Sequence, residues 1–181
     1  MMTKNQLAAA RAGLTQEGPA RFAGDNGWDA SNYLVELCAL DSYPELEKLA
    51  RRVARTPAEL QYFVQNACVF QEEPGEIFQS PLVTAARGVG DCDCQARLFC
   101  TMARGIGSPT ALAFLEDTAS GEPSHVWPMV WDAGAWRHCE TTVYGCGYDE
   151  HPVDAAIRSG LVRPDIVSTM GRVVVKPIPT R

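Results

Sequence analysis

The run "GVGDCDCQARLFC", Gly88 to Cys100, packs three cysteines into nine residues. Two glycines and an aspartate read as a loop. After it, Cys92, Ala96, Phe99, Ala103 and Ile106 recur at steps of four and three, which is one face of a helix. Cys94, Leu98 and Met102 form a second apolar stripe. A helix with two apolar faces is buried on most sides, and Gly105 and Gly107 end it. Cys92 then stands in the first turn, where backbone N–H groups and the positive end of the dipole favour a thiolate. Asp91 and Asp93 oppose this if they point at the sulfur and are harmless if they cap the helix. Cys94 lies about 200° further round and cannot share the outlook of Cys92. Three readings stand. The cysteines are small core fillers, or Cys92 is reactive, or the cluster recruits Cys139 and Cys146 to bind zinc, for which Cys-x-Cys on a helix is awkward.

Upstream of this run the chain reads helical. "TKNQLAAARAGL" (3–14) is a short polar helix, followed by a Gly-rich break. "DASNYLVELCAL" has helical spacing with Asp29 as cap. "SYPELEKLARRVA" and "TPAELQYFVQNACVF" each place a proline at a helix start. "QEEPGEIFQSP" is a loop. Downstream, "PTALAFLE", "SHVWPMVWDA", "AWRHCETTV" and "GRVVVKP" are short, β-branched or aromatic, and read as strands. "PVDAAIRSGL" is a helix between them. Helices first and strands later predict an α+β domain with an antiparallel sheet. The expected organisation is an N-terminal helical extension, 1–25, and one domain, 26–181.

The 181 residues carry a net charge of −6, and Arg51-Arg52 is the longest basic run. Nucleic acid is therefore a poor partner, because phosphate binding needs a clustered basic face. Nothing approaches the roughly 18 consecutive apolar residues of a membrane span, and "MMTKNQLAAARAG" has no apolar export core. With seven cysteines, an odd number, this points to a reducing, cytoplasmic interior with free thiols.

A nucleophilic thiol normally needs a histidine, and that histidine an orienting acid. "SHVWPMVWDAGAWRHCETT" reads as a hairpin turning at Asp132–Ala135 with Trp131 opposite Trp136. His125 and Glu140 then share one face, opposite or one diagonal step apart. Glu140 would take the Nδ1–H and leave Nε2 for the thiol. His138 shares that face and competes as the base. Trp127, Trp131 and Trp136 read as core fillers, with Trp127 walling off the imidazole.

Together these pieces resemble the transglutaminase-like branch of the papain-type cysteine enzymes. Gly90, Cys92, Ala96, Leu98, Ala103, Arg104, Gly105, Ile106 and Pro109 fit its first block. His125, Val126 and Trp127 fit the second, and Trp136, Glu140 and Thr142 the third. The run "IFQSPLVTAARGVGDC" is similar to small bacterial and phage-associated members. The resemblance, covering 77–142, implies a papain-like core with Cys92 as nucleophile, His125 as base and Glu140 as orienting acid, where Asp is usual. It implies attack on a peptide or protein amide through a thioester, ending in hydrolysis, deamidation or cross-linking. The Cys92 backbone N–H is the natural oxyanion donor, Gln79 a candidate second donor and Trp127 a candidate substrate contact. No metal and no cofactor are expected; there is no Asp-x-Asp-x-Asp-Gly calcium loop. The rival reading is a catalytically silent binding or assembly module of the same family.

Overall fold

Pro44, Pro57, Pro81 and Pro152 each open a helix, the position where a missing N–H costs nothing and a fixed φ helps. The structure is a computed structural model that describes residues 20–21, 26–72, 77–159 and 170–179. The expected N-terminal helix lies outside the described residues. Helix α1 spans Gly27–Leu40, α2 Pro44–Val53 and α3 Pro57–Ala67. Asn26, not Asp29, caps α1: its side chain accepts from the Asp29 N–H at 2.8 Å, and Asp29 belongs to the first turn. In α2, Glu45 and Glu47 sit in the first turn and Arg51 and Arg52 in the last, both favourable to the dipole. Thr56 and Glu59 form a capping box at the start of α3.

The short strand β1 (Ala20–Arg21) pairs antiparallel with β3 (Ile77–Phe78), and β2 (Val69–Phe70) pairs parallel with β4 (Val89–Gly90). Between β3 and β4 lies α4, Pro81–Arg87, capped by Ser80 and closed by Gly88 at φ 67°. No helix is expected there from periodicity; seven residues are two turns, too few to display it.

Helix α5, Cys92–Gly105, is the centre of the molecule, with twelve of its fourteen residues buried. On one side it packs with α2 and α3 through Leu98, Phe99, Met102 and Ala103. On the other, Ala96 and Cys100 meet α1 and one face of the sheet. Gly105 permits the closest approach: a Cβ there would collide with the backbone of Glu47 in α2.

The sheet is antiparallel throughout. Its strands are β5 (Thr110–Asp117), β6 (Pro123–Asp132), β7 (Ala135–His138) and β8 (Met170–Pro177), in the order β7-β6-β5-β8. Alternation along β5 divides the core, with Leu112 and Phe114 facing α1 and α5. Ala111, Ala113 and Leu115 face the opposite side, with Trp127 and Met129. Trp131 pairs with Trp136 as the hairpin reading required. The strand expected through "AWRHCETTV" stops at His138, and the chain leaves the ladder before Glu140. Helix α6, Pro152–Arg158, follows that excursion.

Arg97 of α5 ties the layers together. Its Nε and Nη2 reach both carboxylate oxygens of Asp41 at 2.8 and 2.6 Å, and Nη1 donates to the Gln79 carbonyl at 3.0 Å. Both partners are buried, so this fork fixes the run from β3 into α4.

Candidate active site

Cys92 is the first residue of α5 and is half-buried, whereas Cys94 is fully buried. The Asp91 side chain caps the helix, accepting from the Cys94 N–H at 3.2 Å. Gly90 is required just before it, since a Cβ would lie 2.8 Å from the Cβ of Cys94. The Cys94 sulfur accepts from the Gln79 N–H at 3.3 Å, and burial pushes its thiol far up. Cys94 is thus a structural thiol. Cys92 and His125 both line a cleft of about 330 Å³, beside Leu34, Phe78 and Phe114.

His125, near the start of β6, meets Glu140 from the far side of the hairpin: Nε2 lies 2.8 Å from Oε2. The expected assignment of the ring nitrogens is therefore reversed. Nε2 faces the acid, which leaves Nδ1 for the Cys92 thiol. The order follows from backbone position, because Glu140 has left the ladder and approaches the far end of the ring. Burial alone would push the imidazole down. The Glu140 charge and hydrogen bonds to Cys92 and Glu140 overcome it and hold the ring up at about 10. Burial would raise the Glu140 carboxyl, but the His125 charge and the Thr142 donors bring it below its ordinary value.

Glu140 is fully buried and both oxygens are engaged. Oε1 accepts from the Thr142 hydroxyl at 2.6 Å and from the Thr142 and Val143 N–H groups. Its backbone carbonyl accepts from Gln61 at 2.9 Å and Gln65 at 2.8 Å, one turn apart on α3. Sequence reasoning missed these two glutamines. The available signal was their spacing of four on the inward face of an otherwise apolar helix.

The other expected residues lie as follows. Gln79 is 2% exposed and is not among the cleft's lining residues. Trp127 is wholly buried and stacks on His125, with ring centroids 5.7 Å apart, so it backs the imidazole and does not reach the cleft. His138 is turned to Trp127, accepting the indole N–H at Nδ1 at 2.9 Å, and so does not compete for Cys92. Cys139 and Cys146 are buried, and burial raises both thiols. Among the described residues, one group of three has ligand atoms close enough to hold a metal ion, within 4.8 Å of one another: Asp91, Asp93 and Cys94. It includes neither Cys139 nor Cys146, and burial beside Asp91 pushes the Asp93 carboxyl well up.

No helix among the described residues is long and apolar enough to cross a membrane. Comparison with curated proteins yields no match. Among solved structures, a candidate protease from Parabacteroides distasonis is similar at TM-score 0.55 and 11% identity, over 66% of this chain and 27% of that one. A candidate cysteine protease from Cytophaga hutchinsonii is similar at TM-score 0.47 and 13% identity, over 81% and 57%. Calcium-bound LapG from Legionella pneumophila is similar at TM-score 0.45 and 11% identity, over 97% and 82%. The chain thus spans about a quarter of the first protein and just over half of the second. At such identities the likeness is one of fold, a cysteine helix laid on an antiparallel sheet in the papain-like manner. The family description "transglutaminase-like superfamily" matches residues 46–141, from α2 through the hairpin to the residue after Glu140. This segment is just over half of the chain and contains Cys92, His125 and Glu140, and the chain belongs to the transglutaminase-like superfamily.

Proposed function

We propose that the protein is a thiol acyl-transfer enzyme acting on an amide of a peptide or protein, with hydrolysis as the outcome. One observation carries this reading: at the wall of an open cleft, the His125 ring is held between the Cys92 thiol and a buried carboxylate. His125 is placed to take the proton of the Cys92 thiol as the sulfur attacks. The sulfur attacks the amide carbon, forming the C–S bond. The Cys92 N–H at the start of α5 donates to the oxyanion. His125 then gives its proton to the amine as the C–N bond breaks, leaving a thioester. Water, deprotonated by the same ring, attacks the thioester carbon; the C–S bond breaks, the carboxylic acid product leaves, and the ring returns its proton to the sulfur. Glu140 remains ionised throughout and steadies the imidazolium. Seven free cysteines support a reducing, cytoplasmic setting.

Iodoacetamide labelling of the whole chain, with digestion and mass analysis, tests the site, and a quenched-fluorescent peptide library tests the reaction. One fast-alkylating thiol at Cys92, together with cleavage lost in Cys92→Ala and kept in Cys94→Ala, is the expected result. A Cys92 no faster than a free thiol would leave the binding-module reading in its place.

A further inference from the structure

Behind the His125 ring lies a second layer of imidazoles that the reaction above does not use. Trp127 stacks on His125 with planes 26° apart. On its other sides the indole meets His138 at 5.9 Å and His151 at 5.6 Å, and those two rings lie edge to face at 5.0 Å. A buried indole N–H can only donate, so it requires an acceptor. Here the acceptor is Nδ1 of His138 at 2.9 Å. An imidazole accepts only at a nitrogen that bears no proton. His138 therefore keeps Nδ1 bare, and a second proton on its ring would set two donors against each other.

The surroundings favour the bare state. Burial and the neighbouring His151 push His138 below its ordinary value; Asp149 and Asp154 pull weakly the other way. Asp149 is itself engaged, with Arg137 at 2.6 Å, and its backbone N–H donates to the His138 carbonyl at 2.9 Å. His151 is committed through its own Nδ1, which accepts from the Val153 N–H at the start of α6.

We infer that His138 is a positioning residue for the chemistry at Cys92: as a neutral acceptor it holds the Trp127 indole against His125 and so fixes the plane of the catalytic ring, and it releases that indole when it takes up a proton. The inference rests on His125 being the base proposed above. It adds a second acid-side control to the one that Glu140 gives the Cys92–His125–Glu140 set.

The test uses the full chain and the iodoacetamide rate at Cys92, followed from about pH 4 to about pH 9, the span in which histidines titrate. His138→Gln offers an amide oxygen in place of Nδ1 and cannot ionise. His138→Phe offers no acceptor. Wild type is expected to lose rate on acidification with one inflection more than His138→Gln, while the two agree near neutrality. His138→Phe is expected to be slower than His138→Gln by about tenfold at every pH, the rate equivalent of stranding one buried donor, and to meet wild type on the acid limb. In parallel, one of the four tryptophan indole N–H resonances should move through that same inflection in wild type. Superimposable profiles for wild type and His138→Gln would overturn the inference. If His138→Gln fails to fold, the wild-type resonances decide alone, and four indole protons indifferent to the acid limb would overturn it. A Cys92 with no enhanced rate in wild type removes the proposed function instead, so the two failures are distinct.

Discussion

His125 Nε2 and Glu140 Oε2 stand 2.8 Å apart across a hairpin whose paired residues have already ended at His138. The carboxylate reaches the ring because the chain leaves the sheet, turns on Thr142 and Val143, and is anchored from behind by Gln61 and Gln65. The usual family acid is one methylene shorter. Here the longer arm bridges the ring and the Thr142 turn at once.

Glu140→Gln keeps the shape and removes the charge that holds the imidazole up. The expected loss in kcat/KM is on the order of 10²–10⁴-fold, the ordinary worth of a positioned acid–base group. Glu140→Asp should fall less, because it can satisfy either His125 or Thr142. Peptide cleavage by the two variants checks the order, with circular dichroism confirming that both are folded.

The pH profile has a stated sign. His125 is raised to about 10 on folding. Its contribution to stability is full below its unfolded value near 6.5 and is lost as pH climbs through about 10. Glu140 is depressed, so its contribution is full above about 4.5, its ordinary value, and fades as pH falls below that. Denaturant midpoints should therefore fall toward both ends. Cleavage should fall near pH 10 as the ring loses its proton, while iodoacetamide labelling of Cys92 should not.

Asp41 and Arg97 form a buried bidentate pair, and removing one partner strands the other charge. Asp41→Asn is expected to cost about 3–5 kcal/mol, measured by urea unfolding. The loss should exceed that of any exposed pair, such as Arg137 with Asp149, whose removal is expected to cost about 0–1 kcal/mol.

Gly105→Ala drives a methyl into the backbone of Glu47 and must part α5 from α2. A loss of about 1–3 kcal/mol is expected in the same assay. Gly107→Ala provides the comparison, because a Cβ there meets nothing within 4 Å and only its φ of 74° resists the change.

Much of this was legible in the residues. Steps of four and three announced α5, proline–acid starts announced α2 and α3, and the Asp132–Ala135 turn announced the Trp131–Trp136 register. What escaped depends on quantities that periodicity does not carry. The choice of ring nitrogen depends on where the backbone leaves the ladder. Helix α4 is too short to show a repeat. Gln61 and Gln65 act through a carbonyl 75 residues or more away in sequence, and no local pattern records such a contact. Trp127, expected as a substrate contact, is buried behind the His125 ring, where it walls off the imidazole.

The position of β8 has a consequence for biogenesis. The central strand β5 is bordered by β6 within a few residues but gains its other neighbour only from 170–177. While the ribosome is still making the intervening chain, the β5 flank at Ala111–Leu115 presents unpaired peptide groups, an invitation to intermolecular strand pairing. Cys92, His125 and Glu140 are translated well before the last staple arrives. A truncated 46–141 fragment would thus hold Cys92, His125 and Glu140 and still be a poor folder, and stalling upstream of Met170 should yield aggregates in place of the folded protein.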